Sequence, residues 1–138
     1  MKVVAFNGSA RKDGNTALLI RRVLRVLEEE DIETELLQLA GKNLRGCRAC
    51  RGCIDRKDKR CVYDGDKMNG YIKKMLEADG IILGSPVYFS MMTSEMKALI
   101  YRSGYEARAN SDIFKRKVGA AVVEVRRAEP GDLYANTT

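Results

Sequence analysis

The chain has no histidine, which excludes histidine-based acid–base and nucleophilic catalysis. No apolar run approaches the ~20 residues of a membrane-spanning helix. Internal repeats, low-complexity tracts and linkers are also missing. A strand-like run begins at residue 2, so no signal peptide is visible, and a cytoplasmic, reducing location is expected. There is no cysteine outside residues 47–61. In a reducing compartment, thiols gathered in this way favour metal or redox chemistry over disulfide staples. The fold does not need such staples. A chain of 138 residues is expected to form one domain that buries roughly two thirds of its unfolded surface.

The four thiols form one compact pattern, Cys47-x2-Cys50-x2-Cys53-x7-Cys61. Soft thiolates select iron–sulfur clusters, zinc or Cu(I). A 4Fe–4S cluster needs four thiolates, and two successive C-x2-C steps present three of them compactly. A structural zinc site also takes four cysteines, usually as two separated pairs. Here Cys50 belongs to both short steps, so the loop does not divide into pairs. Idle thiols or disulfides are the third reading. The gap before Cys61 is longer than in bacterial ferredoxins and no proline follows it, so a ferredoxin fold is not expected.

The net charge is +6, from 25 basic and 19 acidic residues. Much of the excess surrounds the thiols: Lys42, Arg45, Arg48, Arg51, Arg56, Lys57, Lys59 and Arg60 are countered only by Asp55 and Asp58. This positive charge offsets that of thiolates and suits an acidic partner. A zinc-bearing module that uses the loop on nucleic acid is a rival reading. The loop has no aromatic stacking platform, which disfavours it.

Apolar runs at residues 2–6, 33–39, 80–84 and 117–125 read as strands. Helices are expected over 16–30 and 68–78, and from residue 93 or 94 onward. The first helix is capped by Asn15 or Thr16, with Leu19, Ile20, Val23, Leu24 and Leu27 as its inner stripe. Strands alternating with helices predict a doubly wound parallel α/β sheet whose ligands bind at the carboxyl ends of the strands. There, Ser9, Arg11, Asn15 and Thr16 join a buried strand to a helix N-terminus, a pattern suited to a phosphate. The loop is neither a Walker A motif nor G-x-G-x-x-G. After the third strand, Pro86, Val87, Tyr88 and Phe89 are placed to pack on a flat ring, although both aromatics also suit core or helix-entry positions.

Together, Asn7-Gly8-Ser9-x-Arg11-x3-Asn15-Thr16, Gly84-Ser85-Pro86-Val87-Tyr88 and Met96-Lys97 resemble the NADPH-dependent FMN reductase branch of the flavodoxin-like flavoproteins. The cysteine pattern between the second strand and the following helix narrows the resemblance to the iron–sulfur flavoprotein family. It extends over residues 1 to about 127. This implies a flavodoxin-like fold, non-covalent FMN, a 4Fe–4S cluster and a homo-oligomer (dimer or tetramer) in which electrons pass between cluster and flavin. Ser9, Arg11, Asn15 and Thr16 would hold the FMN phosphate. Pro86, Val87, Tyr88 and Phe89 would line the isoalloxazine, with Arg126 and Arg127 approaching it. Cys47, Cys50, Cys53 and Cys61 would ligate the cluster. The expected function is electron relay from an acidic, ferredoxin-like donor, which needs no catalytic acid or base. The alternative is an NAD(P)H-dependent FMN or quinone reductase without a cluster.

Flavodoxin-like sheets have five strands, in the order 2-1-3-4-5. Four are recognisable here, so the order 2-1-3-4 is expected, with the last strand and helix missing. Residues 1–127 are read as the domain, with its cysteine loop at 45–62, and residues 128–138 as a polar tail. A truncated product or an edge covered by a partner subunit are the two expected explanations.

Overall fold

The computed structural model describes residues 1–125. Arg126, Arg127 and the 128–138 tail lie outside the described residues. In chain order the elements are β1 (Lys2–Asn7), α1 (Asn15–Glu29), β2 (Glu33–Gln38), α2 (Gly52–Arg56), α3 (Met68–Glu77), β3 (Gly80–Pro86), α4 (Ser94–Ala109) and β4 (Val118–Glu124). The four strands form one parallel sheet in the order β2-β1-β3-β4. The expected four-strand flavodoxin-like order is therefore present.

Side chains alternate across a strand, so each central strand feeds two cores. Val3 and Ala5 of β1 and Ile82 of β3 pack with Ile20 and Leu24 of α1. Val4, Phe6 and Ile81 face the other way, onto Met68, Tyr71, Ile72 and Met75 of α3 and Met96 and Leu99 of α4. This explains why β1 and β3 read as unbroken apolar runs: both faces are covered.

The structure corrects the first helix in two respects. Its N-cap is Gly14, and Asn15 and Thr16 are its first two residues. Its buried face is Thr16, Ala17, Ile20 and Leu24, whereas Leu19 and Val23 are 45% and 39% exposed. Val23 borders a shallow apolar groove over β4, with Leu27, Val118 and Ala120. Among the described residues β4 is the edge strand and no element covers that flank, so the outer part of the α1 stripe is exposed there.

Two glycines bring the strand ends close together. The Gly8 N–H donates to the Gly84 carbonyl at 2.7 Å. A Cβ on Gly8 would stand 2.9 Å from Thr93 Oγ1 and 3.2 Å from Met96 Cβ. Only glycine lets the loop after β1 sit against the start of α4, where Thr93 caps the helix by accepting the Met96 N–H at 3.3 Å. Among the described residues, no helix is long and apolar enough to cross a membrane.

Candidate functional site

The loop after β1 is fixed from below. The Ser9 N–H donates to Asn7 Oδ1 at 3.1 Å, and Ser9 Oγ accepts the Arg11 N–H at 3.1 Å. Gln38, at the end of β2, donates to the Ser9 carbonyl at 2.7 Å and accepts from the Asn7 amide at 2.7 Å. The loop then enters α1 with no side-chain cap and no acidic residue in the first turn. The leading N–H groups of the helix are therefore left for an external acceptor, and the helix dipole favours an anion there. Ser9, Arg11, Asn15 and Thr16 line one cavity of about 720 Å³ together with Pro86, Tyr88 and Glu124. Pro86 reaches it because β3 runs two residues further than expected, pairing Ser85 with Val123 and Pro86 with Glu124.

Val87 and Phe89 are not on that wall. The Val87 N–H is spent on the Glu124 carbonyl at 2.9 Å. Tyr88 and Met91 exchange both backbone hydrogen bonds at 3.0 Å, closing a two-residue turn. Phe89 and Ser90 occupy its apex at φ 44° and 61°. Such a turn suits Asn-Gly, and here it holds a fully exposed phenylalanine at positive φ.

The cysteine loop forms a second cavity, of about 400 Å³. Cys47, Cys50, Cys53 and Cys61 all line it, together with Arg45, Arg48, Arg51, Arg102, Tyr105 and Glu106. The two cavities share no lining residue. The loop folds through a short helix beyond the three expected from the sequence, α2, which carries the buried Cys53. A Cβ on the neighbouring Gly52 would stand 2.3 Å from Val62 Cγ2, so a larger residue there would displace the exposed Val62 side chain. Ala49, Arg51, Lys57 and Lys59 all take positive φ.

The donor set suits a soft-metal centre: four cysteines lining one cavity within a strongly basic loop. The sulfurs also receive N–H donors, from Ala49 N to Cys47 at 3.4 Å and from Arg102 Nε to Cys61 at 3.3 Å. They are not drawn together, because no three His, Cys, Asp or Glu side chains among the described residues are gathered closely enough to hold a metal ion. The chemistry of the set thus fits a thiolate-bound centre, and the loop would have to close around it.

Several residues in or behind this cavity carry no motif signal. Asn69 clamps Cys61, accepting its N–H at 2.8 Å and donating to its carbonyl at 3.0 Å. Arg102 and Asp66 form an ion pair whose side chains are each 1% exposed. Glu106, one turn beyond Arg102, is 1% exposed and accepts from Asn110 Nδ2 at 3.3 Å. Burial, with Asp58 nearby, pushes the Glu106 carboxyl above its ordinary range. Burial pushes the Cys53 thiol up as well, and Glu106 adds to it. The i, i+4 spacing of two charged residues on an otherwise apolar helical face was the available clue to Arg102 and Glu106.

A model of the NADPH-dependent FMN reductase family matches residues 1–133. The chain is 43% identical over 127 residues to an iron–sulfur flavoprotein of Methanocaldococcus jannaschii, covering 88% of this chain and 61% of that one. To an iron–sulfur flavoprotein of Methanosarcina thermophila it is 38% identical over 122 residues, covering 88% and 62%. The chain thus spans 45–64% of the length of the curated relatives it matches. Among solved structures, RosB with its bound intermediate 8-demethyl-8-formylriboflavin-5'-phosphate superposes with TM-score 0.74 at 19% identity, covering 97% of this chain and 56% of that one. A likeness at that identity concerns the fold alone.

Proposed function

The chain belongs to the NADPH-dependent FMN reductase family, and from that premise we propose that it is an FMN flavoprotein that also carries a 4Fe–4S centre on its cysteine loop. The observation that carries this reading is that Cys47, Cys50, Cys53 and Cys61 all line one cavity, in a chain whose uncapped α1 N-terminus offers a separate anion cradle. The iron–sulfur flavoproteins among its relatives support it. When bound, the centre supplies one-electron transfer and the flavin one- or two-electron transfer.

The residues of the chain provide binding and placement. The α1 N–H groups, Ser9, Thr16 and Arg11 would hold the phosphate, while Pro86 and Tyr88 would border the ring. Asn69 fixes the backbone of Cys61. Arg48 and Arg51, exposed on the rim of the cysteine cavity, would dock an acidic one-electron carrier. The exposed flank of α1 and β4 is the surface we assign to burial in a homo-oligomer.

Anaerobic purification followed by iron, sulfide, zinc and flavin assay tests the reading. About four irons and four sulfides per chain, with bound FMN and no zinc, are expected. One zinc without sulfide would overturn the cluster. For docking, the rate of reduction by an acidic carrier is expected to fall steeply between low and physiological salt. A salt-independent rate would rule out the basic rim as the docking surface. The family description favours a second reading, direct reduction by NADPH. Rapid anaerobic bleaching of the flavin by NADPH alone would select it.

A further inference from the structure

Arg102 stands on α4, 41 residues beyond Cys61 in sequence, yet its guanidinium organises the cysteine loop. It is 2% exposed. Nε donates to Cys61 Sγ at 3.3 Å, Nη1 to the Arg45 carbonyl at 3.2 Å and to Asp66, and Nη2 to the Tyr63 carbonyl at 2.8 Å. Arg45 precedes the first cysteine and Tyr63 follows the last, so one side chain ties both ends of the loop. The Tyr63 ring packs against the same group, with the Arg102 guanidinium carbon 5.4 Å from its centroid. A planar fork of five fixed donors can make these bonds together, whereas a lysine ammonium cannot. Among the described residues, Cys61 alone receives an N–H from a charged side chain; the donor to Cys47 is a backbone amide.

We propose that Arg102 is a positioning residue for Cys61: it fixes the sulfur at the cavity wall and, by donating a charged N–H to it, raises the reduction potential of a thiolate-bound centre there. Hydrogen bonds to ligand sulfurs stabilise the more electron-rich state, and potentials rise accordingly. The potential rests on the function proposed above, while the positioning of Cys61 does not.

Arg102→Gln, Arg102→Lys and Asp66→Asn separate the roles. In the reduced, metal-free chain, iodoacetamide labelling is read cysteine by cysteine from peptide masses. Both Arg102 variants are expected to raise labelling of Cys61 several-fold relative to the already exposed Cys50, whereas Asp66→Asn, which keeps the guanidinium, leaves the ratio near native. In the loaded protein, Arg102→Gln is expected to shift the midpoint potential negative. Asp66→Asn should shift it positive or not at all, because it removes a negative charge and retains the N–H to sulfur. If Arg102→Gln alone does not fold, Arg102→Gln/Asp66→Asn removes the ion pair together and carries the same readouts. Native Cys61 labelling in a folded Arg102→Gln chain, or an equal negative shift in Asp66→Asn, would reduce Arg102 to scaffolding and overturn the proposal. If the native protein holds no iron or sulfide, the function proposed above fails, and the labelling ratio still decides whether Arg102 positions Cys61.

Discussion

Asp66→Ala is expected to lower the unfolding free energy by about 3–5 kcal/mol, the usual cost of removing one partner from a buried ion pair. The Asp66 side chain is 1% exposed, as is that of Arg102. It accepts the Arg45 N–H at 3.0 Å and the Met68 N–H at 3.0 Å, in addition to its bond from Arg102. The substitution therefore leaves a guanidinium without a counter-charge and frees the leading N–H of α3. Set against a typical total of ~5–15 kcal/mol, most of the margin would go. Urea denaturation of both proteins checks this. A loss below ~1 kcal/mol would place the pair with surface ion pairs that contribute little.

The same carboxyl predicts a pH dependence. Burial opposes its charged form, but the Arg45 N–H, Arg102 and the Met68 N–H outweigh burial and hold it below the ordinary carboxyl range. A pKa depressed in the folded state means that the unfolded chain binds the proton first. The stabilisation is thus fully present above the unfolded value of about 3.9 and disappears as pH falls through the folded one. Native and Asp66→Ala stabilities should converge on acidification below about pH 4. Glu106 acts in the opposite sense: its raised pKa means that the folded state holds the proton longer, so its contribution weakens as pH rises above about 4.3.

The strands and the two residue groups that line the cavities were legible from local pattern, whereas the strand order followed from the resemblance to flavodoxin-like proteins. Short unbroken apolar runs such as those of β1 and β3 suit strands covered on two faces, and four cysteines within fifteen residues must share a neighbourhood. What sequence could not supply came from distant contacts. Leu19 and Val23 carry the same periodic signal as Ile20 and Leu24, yet they lie over a flank that no described element covers. Phe89 reads as a ring-stacking aromatic, but the paired hydrogen bonds of Tyr88 and Met91 put it at a turn apex, where no hydrophobicity scale would place it. Arg102 is one of many basic residues in the sequence. Its i, i+4 spacing to Glu106 marks it only faintly; the return of α4 across the cysteine loop gives it its role, with partners 36 to 57 positions away.

Arg11→Ala is expected to weaken FMN binding about tenfold, because a hydrogen bond from a charged group contributes ~1.5 kcal/mol. Arg11 supplies the cationic side chain on the wall of the strand-end cavity, where Glu124 is the acidic one. Removing it leaves an anion facing helix N–H groups and a carboxylate, without a balancing cation. The loop itself should persist, since the contact from Arg11 to Ser9 Oγ is made by the backbone N–H, which alanine retains. Riboflavin, which lacks the phosphate, provides the control: its affinity should be the same for the native and Arg11→Ala chains. Flavin fluorescence quenching measures both. Equal loss for the two flavins would mean that the loop has collapsed. No loss for either would move the phosphate away from the α1 N-terminus and leave that uncapped helix end to be explained by some other anion. A loss confined to FMN would fix the phosphate at Arg11 and thereby orient the flavin, because a phosphate held at the start of α1 leaves the ring to extend toward Pro86 and Tyr88 on the same wall.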